Sequence, residues 1–331
     1  MDDPAALRQV LARFPTVRAA VIGDLMADRF IYGEARRLSP EAPVPVVHIR
    51  KRTIQPGGAA NVANNVLSLG GKLALFGVLG DDEAGRDVHG ILEQRGADLS
   101  GVRFEARRPT TVKTRVVAQA QHLVRFDEEE TGPIDGEVSA WLLDRLSALA
   151  GTLNVVVFSD YAKGLLGQDL VGKAMALCRE RGLPVVADPK PANIGLYKGV
   201  DVIKPNLGEA LRLIGWEQEP GEDDMAAVCR RVRERSEARG VIVTAGWRGM
   251  YVLDEHGFAH IPGTPREVYD VAGAGDSTLA AIALALACGA SLHDAAHLGN
   301  LAGGIAVEKL GIATVSAEEM LAEIEAEHEH A

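Results

Sequence analysis

The chain has 331 residues, of which 47% are hydrophobic and 24% charged, so it can bury the core of one large domain or of two smaller ones. Its formal net charge of −11 at pH 7 argues against nucleic acid or an anionic membrane surface as the main partner. The 3 cysteines, the absence of an apolar run of membrane-spanning length and the acidic N-terminal residues predict a reduced, cytoplasmic protein.

Short apolar runs alternate with helical patterns along the chain. The runs cover residues 19–22, 73–78, 155–158, 184–187, 202–203 and 241–243. The helical patterns cover residues 5–13, 59–69, 84–95, 135–149, 168–181, 207–215 and 223–238. Continuous apolar runs are typical of parallel strands covered on both faces. We therefore predict an α/β fold with a doubly wound, mostly parallel sheet flanked by helices.

Polar side chains follow the predicted strands at their carboxyl ends, where such sheets bind ligands. They are Asp24, Asp160, Asp188, Asn206 and Thr244. Each one alone is also explained as a helix cap or turn residue. Their occurrence on one edge of the sheet favours a site.

Two segments interrupt the alternation, at about residues 32–52 and 103–127. Residues 44–50, 111–117 and 123–127 within them alternate apolar and polar side chains, which predicts half-exposed antiparallel strands. We expect a small β-lid that closes over substrate and makes a homodimer contact through its apolar outer face. The alternative is a plain edge hairpin. Nothing marks a second domain, so residues 1–331 are predicted to form a single domain.

The stretch 267–278 is the strongest candidate for chemistry. Gly273, Ala274 and Gly275 precede an apolar helical run, and free N–H groups at a helix N-terminus bind anions such as phosphate. Asp276 is explained equally well as an N-terminal helix charge or as a base for a hydroxyl that attacks phosphorus.

Three further motifs carry weaker signals. The pair Gly57–Gly58 with Asn61 suits a close approach of a sugar to the backbone, or a tight strand–helix turn. Asn206 and Glu209 suit a hydrated Mg²⁺ that bridges phosphates, or an ordinary helix cap. The glycine turn over residues 244–249 suits phosphates or any hairpin. Residues 250–253 and 258–261, on either side of the turn 254–257, predict a hairpin directly after it.

In this order and spacing, the three motifs built on Asn61, Asn206 and Asp276 resemble the ribokinase-like (PfkB) carbohydrate kinase family. More narrowly, the chain resembles the heptose-7-phosphate kinase subgroup of that family. The segments that carry this second resemblance are residues 38–47, 56–63, 159–164, 187–190, 267–271 and 309–316. The resemblance covers about residues 17 to 318.

The resemblance implies a ribokinase-like fold and ATP-dependent phosphorylation of a heptose 7-phosphate at its C1 hydroxyl, an early step towards ADP-heptose and the lipopolysaccharide core. Asp276 would accept the C1 hydroxyl proton. The amides of Gly273, Ala274 and Gly275 would hold the transferring phosphoryl group.

The resemblance also implies the residues that bind the nucleotide and the sugar. ATP, Mg²⁺ and the phosphates would be bound by Asn206, Leu207, Gly208, Glu209, Thr244, Gly246, Gly249 and Asn300. The sugar hydroxyls would be bound by Asp24, Gly57, Gly58 and Asn61. The cations for the 7-phosphate would come from Lys113, Arg115, Arg125, Lys163 and Lys190. A monovalent cation such as K⁺ is a further expected cofactor.

Two departures from the subgroup stand out. Ala272 occupies a position where the subgroup usually has threonine, which we expect to affect the rigidity of the loop or the rate. Bifunctional members carry a C-terminal nucleotidyltransferase domain, which we do not expect here, so a separate protein is expected to carry that step. The alternatives are a kinase of this fold acting on another sugar phosphate or a nucleoside, and a catalytically inactive sugar-binding regulator.

Overall fold

The computed structural model describes residues 4–119, 121–264 and 266–329, so the ends of the predicted domain and position 120 of the predicted lid lie outside the described residues. The strands are β1 Arg18–Gly23, β2 Leu25–Leu38, β3 Pro45–Gly58, β4 Lys72–Gly80, β5 Asp98–Glu105, β6 Thr111–Ala118, β7 Gln121–Glu128, β8 Val155–Ser159, β9 Val185–Asp188, β10 Val202–Ile203, β11 Gly240–Thr244, β12 Met250–Leu253 and β13 Phe258–Ile261. The helices are α1 Pro4–Ala12, α2 Ala59–Ser68, α3 Glu83–Gln94, α4 Gly136–Leu149, α5 Gln168–Arg181, α6 Leu207–Ile214, α7 Met225–Ser236, α8 Ala274–Ala287, α9 Leu292–Val307 and α10 Ala317–Glu329.

Nine strands form one large sheet, in the order β13-β12-β11-β10-β9-β8-β1-β4-β5. The pairs from β11 to β5 are parallel, while β12 and β13 form the predicted antiparallel hairpin at one edge. The chain leaves β1 in one direction to β4 and β5, and in the other direction from β8 to β11. The predicted doubly wound, mostly parallel sheet is thus confirmed, and its switch point lies between β1 and β8.

Helices cover both faces of this sheet, which explains why its strands are continuous apolar runs. The core on one face contains residues of α2, α8 and α9. The core on the other contains residues of α4, α5, α6 and α7. Helix α8 is buried along most of its length, as expected for a helix that is apolar all round. It therefore holds its N-terminus rigidly against the sheet.

The smaller sheet has four strands in the order β3-β2-β6-β7. This sheet, hereafter the lid, confirms the predicted element, but its strands extend beyond the predicted segments: β2 begins directly after β1, and β3 runs on to α2. The prediction that all its strands are antiparallel is wrong for the central pair, because β2 and β6 are parallel. Both strands leave the large sheet towards the lid, so they run in the same direction.

Besides β2, three elements had no counterpart among the predicted ones. Strand β5 extends the large sheet, although its last residues, 103–105, fall in the predicted lid segment. Helices α9 and α10 pack behind the C-terminal part of the core. Among the residues that the structure describes, no helix combines the length and the apolar character needed to cross a bilayer.

Candidate active site

A cleft of about 440 Å³ opens at the carboxyl edge of the large sheet. The residues that line it are Tyr161, Asp188, Lys190, Lys204, Asn206, Glu209, Thr244, Gly273, Gly275 and Asp276. The adjacent parallel strands β8, β9, β10 and β11 bring their carboxyl ends together here. Of the five polar strand ends predicted to favour a site, Asp188, Asn206 and Thr244 line this cleft, whereas Asp24 and Asp160 do not.

The N-terminus of α8 forms the floor of the cleft. Gly273 precedes the helix with a φ of 85°, and a Cβ at this position would lie 2.9 Å from the Asn61 Nδ2 atom, so both the backbone and the packing require glycine. The amide of Ala274 makes only a 3.4 Å contact with the Val271 carbonyl. Among the described residues, no acceptor is recorded for the amides of Gly273 and Gly275. These donors and the helix dipole make an anion site.

The carboxyl group of Asp276 lies beside this anion site and is bound by two donors. The Asn61 Nδ2 group donates to Oδ2 at 2.7 Å, and the Tyr161 hydroxyl donates to Oδ1 at 2.7 Å. Burial, partly offset by these two hydrogen bonds, raises the pKa of Asp276 to about 6. A carboxylate with this pKa is ionised at neutral pH and is a better proton acceptor than an exposed one.

Two ion pairs flank the carboxylate. The Lys204 ammonium group, 3% exposed, lies 2.8 Å from Asp188 Oδ2, and the Lys190 ammonium group lies 2.6 Å from Glu209 Oε1. Burial raises the pKa of Asp188, and Lys204 opposes this rise. Burial also disfavours the charge on Glu209, but Lys190 outweighs it and lowers the pKa of this carboxyl. Both pairs face the space in front of α8.

The turn at the start of α6 was the predicted Mg²⁺ site. Asn206 Oδ1 accepts the Glu209 amide at 2.9 Å, and Glu209 Oε2 accepts the Asn206 amide at 3.1 Å, which makes a capping box. Within the described ranges, no cluster of three or more His, Cys, Asp or Glu side chains could hold a metal ion. Asn206 Oδ1 and both carboxyl oxygens of Glu209 are thus engaged within the protein, so a Mg²⁺ here would be held mainly by waters and nucleotide phosphates, and the predicted site stays a prediction.

The other predicted nucleotide residues lie farther out. Thr244 lines the cleft and bridges to Asn206 at the end of β11. Gly246 and Gly249 lie in the turn between β11 and β12, outside the lining. Asn300, on α9, donates its Nδ2 group to the Pro262 carbonyl at 3.0 Å, also outside the lining. Their predicted contacts with the nucleotide stay predictions.

Asp24, predicted to bind sugar hydroxyls, holds a loop of the protein. Its buried carboxyl accepts the backbone amides of Tyr161 at 2.9 Å, Lys163 at 3.1 Å and Leu165 at 3.3 Å. Burial raises the pKa of Asp24, and these three amides lower it. The local effect is to fix the loop that follows β8, which carries Tyr161 into the cleft.

Of the predicted sugar residues, Asn61 and Gly57 lie near acidic side chains. Asn61 contacts Asp276, as described above. Gly57 packs so closely on Asp28 that a Cβ would lie 2.1 Å from its Oδ2 atom. Asp28 is buried and pairs with Arg115 of the lid strand β6. Gly58 precedes α2 with a positive φ of 55°.

The five cations predicted for the 7-phosphate separate into different environments. Arg125 pairs with Asp127 on the outer strand of the lid at 3.0 Å, and Lys163 pairs with Glu129 at 2.7 Å. Arg115 and Lys190 pair with Asp28 and Glu209, as described above. Lys113 is the member of this set with no carboxylate partner among the described residues, and it lies 5.2 Å from the centre of the Tyr161 ring.

Sequence reasoning assigned no site role to Tyr161, Asp188, Lys204 or Asp28. Asp188 is predicted there as a polar strand end, and the segment 159–164 contains Tyr161 without a function for this side chain. Asp28 lies within β2, a strand that was not predicted. The signal available for Asp28 was that an acidic residue stands among the buried residues at the start of this strand.

Comparison with known proteins identifies the family. The description "pfkB family carbohydrate kinase" matches residues 17–320. The chain is 43% identical over 321 residues to the bifunctional protein HldE of Hyphomonas neptunium, covering 96% of this chain and 65% of that one. Other curated relatives are also named HldE, and the chain spans 64–66% of their length. Because these relatives are named bifunctional, the expectation of a separate downstream nucleotidyltransferase finds no support.

Solved structures show the same fold. Phosphofructokinase-2 from Escherichia coli in complex with potassium aligns with a TM-score of 0.75 and 19% identity, covering 93% of this chain and 99% of that one. Ribokinase from Arabidopsis thaliana complexed with ribose and ATP aligns with a TM-score of 0.72 and 18% identity, covering 93% and 99%. The predicted ribokinase-like fold is confirmed, and the chain belongs to the pfkB family of carbohydrate kinases.

Proposed function

We propose that this chain is an ATP-dependent sugar kinase that phosphorylates a heptose 7-phosphate at its C1 hydroxyl. The observation that carries the proposal is the position of the Asp276 carboxylate, directly beside the free amides at the N-terminus of α8. A base and an anion site in contact are what the transfer of a phosphoryl group to an alcohol requires.

The reaction then proceeds as an in-line displacement. The C1 hydroxyl oxygen attacks the γ-phosphorus of ATP while Asp276 takes the hydroxyl proton. The bond from the γ-phosphorus to the β–γ bridging oxygen breaks, and ADP leaves with that electron pair. The amides of Gly273 and Gly275 hold the negative charge of the transferring group, and Lys190 and Lys204 lie in the same cleft.

The nucleotide and its cations occupy the part of the cleft near α6. Mg²⁺ would be placed beside Asn206 and Glu209, and when bound it neutralises phosphate charge. Thr244 lies next to this position. A bound monovalent cation such as K⁺ remains part of the proposal, and the potassium complex of phosphofructokinase-2 is a precedent within the same fold.

The lid supplies the proposed specificity for a phosphorylated sugar. Lys113 has no ion-pair partner among the described residues and lies above the loop that holds Tyr161, so its charge is available to a phosphate. Arg115 pairs with Asp28 at the base of the lid. Asp28 lies against Gly57, one of the residues expected to bind the sugar hydroxyls, so this ion pair lies close to the expected sugar position. The narrower resemblance to heptose-7-phosphate kinases supports the identity of the sugar.

We also propose that the lid makes a homodimer. Strand β7 is exposed along its whole length, and Val124 and Phe126 on it are 52% and 46% exposed. Leu38 at the end of β2, Val44 in the turn before β3 and Ile49 on β3 add further exposed apolar surface to the lid. Exposed edge strands and apolar patches of this kind are normally covered by a partner.

A substrate panel tests the proposed function. The purified chain with Mg²⁺ and ATP is assayed against heptose 7-phosphate, fructose 6-phosphate, ribose and a nucleoside, and the products are identified by ³¹P NMR, with Asp276→Asn as the blank. We expect kcat/KM for the heptose phosphate to exceed the others by about two orders of magnitude, because unpaired polar groups penalise the wrong sugar. A preference for another acceptor contradicts the substrate, and turnover at the level of the blank contradicts the kinase activity.

A further inference from the structure

We propose that Tyr161 is a positioning residue of this site, whose hydroxyl fixes the Asp276 carboxylate and keeps it in the form that accepts a proton. This inference rests on the proposed function, because it assumes that Asp276 is the base. It adds a role that no motif of the sequence points to.

Tyr161 is held at both ends. Its backbone amide donates to Asp24 Oδ2 at 2.9 Å, directly after β8, and its hydroxyl donates to Asp276 Oδ1 at 2.7 Å. Its ring lies 5.0 Å from the Lys190 ammonium group of the body and 5.2 Å from that of Lys113 on the lid. A side chain with fixed backbone and ring positions can orient a carboxylate that it contacts.

The hydroxyl acts as a donor in this contact. Burial, together with the negative charge of Asp276, raises the pKa of Tyr161 well above its usual value. The hydroxyl therefore keeps its proton throughout the pH range in which the protein is folded and active. It does not compete with Asp276 for the substrate proton.

The two donors to Asp276 bind different oxygens of its carboxylate. Asn61 binds Oδ2 and Tyr161 binds Oδ1, so the carboxylate cannot rotate about its last bond without losing one hydrogen bond. A carboxylate offers about four acceptor positions, so positions remain for the substrate hydroxyl. Tyr161 thus fixes the direction in which the proton is received.

The pKa of Asp276 responds to every charged group around it. Tyr161 and Asn61 bind it directly, the Asp188 charge raises its pKa, and the Lys204 charge lowers it. Lys190 faces it as well, since the Asp276 charge raises the pKa of that lysine. Of the contributions that favour the ionised carboxylate, the hydrogen bond from Tyr161 is the largest.

The test is the pH profile of Tyr161→Phe, with the best acceptor of the substrate panel. For the wild type, kcat/KM falls as the pH drops through the pKa of the base, near 6. Removing the hydroxyl removes a stabilisation of the ionised form, so this acidic limb moves to higher pH, by about one unit. We expect kcat on the plateau to fall about tenfold or more, because the carboxylate loses its orientation.

Tyr197→Phe is the matched control. The Tyr197 hydroxyl is buried and donates to the Asp160 carboxyl at 2.8 Å, so the same atom is removed from the same kind of bond without a contact to Asp276. Its acidic limb should coincide with that of the wild type. The folded fraction of each variant is followed by circular dichroism over the same pH range, and each rate is divided by it, so a change in folding is not read as a shift of the limb.

An unchanged limb in Tyr161→Phe overturns the inference, as does an equal shift in the control. Both outcomes are distinct from a failure of the proposed function. In that case the wild type itself transfers no phosphoryl group to any acceptor of the panel.

Discussion

Replacing Asp276 by asparagine should change activity and stability in opposite directions. The asparagine has the same shape, and its oxygen can accept the Asn61 amide while its own amide donates to the Tyr161 hydroxyl oxygen. The variant therefore keeps both contacts and loses the charge. Without the base, we expect kcat to fall by about 10²- to 10⁴-fold.

The stability gain follows from the pKa of the buried carboxyl. Its pKa is raised from 3.8 to about 6 in the folded protein, so the folded state binds the proton more tightly than the unfolded state does. The stabilising effect of this proton is complete below pH 3.8 and is lost as the pH rises through 6. At pH 8 the ionised carboxylate thus costs about 3 kcal/mol, which asparagine removes.

Urea unfolding at several pH values, paired with an ADP-release assay, measures both effects. The free energy of unfolding of Asp276→Asn should exceed that of the wild type by up to about 3 kcal/mol at pH 8, and the difference should shrink towards pH 4. Asp144→Asn, on the exposed side of α4, should show no such trend. Lower stability of Asp276→Asn at every pH refutes the cost assigned to burial, and near-wild-type turnover refutes the role of the base.

Three further predictions concern the glycines at the N-terminus of α8, the contacts of α10 and the exposed surface of the lid. Gly273→Ala should lower the free energy of unfolding by about 1–2 kcal/mol in urea titrations, because residue 273 has a positive φ and a Cβ there would contact Asn61. A Cβ at Gly275 would meet nothing within 4 Å, so Gly275→Ala should reduce turnover without lowering the free energy of unfolding. Arg266→Met removes the hydrogen bonds of a buried guanidinium group to α10, including one to Glu323 at 2.7 Å, and should lower the free energy of unfolding by about 1–3 kcal/mol, which thermal unfolding measures. Phe126→Glu on the lid should convert a dimer to a monomer in light scattering, and an unchanged mass contradicts the proposed interface.

The large sheet was predictable from the sequence because its strands are buried on both faces. Continuous apolar runs such as residues 155–158 identify such strands without any tertiary information. Strand β2 escaped prediction because it passes from the core into the lid. Its burial changes along residues 25–38 from complete to nearly none, so neither a continuous run nor an alternating pattern is maintained.

The candidate site at residues 267–278 was predictable in part. A glycine turn before an apolar helix reports an anion site, since both features are local. The partners of Asp276 are not local: Asn61 is 215 positions away and Tyr161 is 115 positions away. Sequence spacing carries no information about such contacts, so the tyrosine could be found only from the folded chain.

The charges in the cleft have a consequence for how an acidic protein binds ATP. Lys190 and Lys204 are already paired with Glu209 and Asp188, so with Asp276 ionised the cleft holds two ammonium groups and three carboxylates. A free nucleotide polyanion would meet a slightly negative wall and would have to break these ion pairs to reach the lysines. The amides of Gly273 and Gly275 at the N-terminus of α8 have no acceptor among the described residues, and they carry no counter-charge to displace. A nucleotide whose charge is reduced by Mg²⁺ would match this cleft, because the metal would neutralise phosphate charge at the acidic side and leave the helix N-terminus to receive the γ-phosphate.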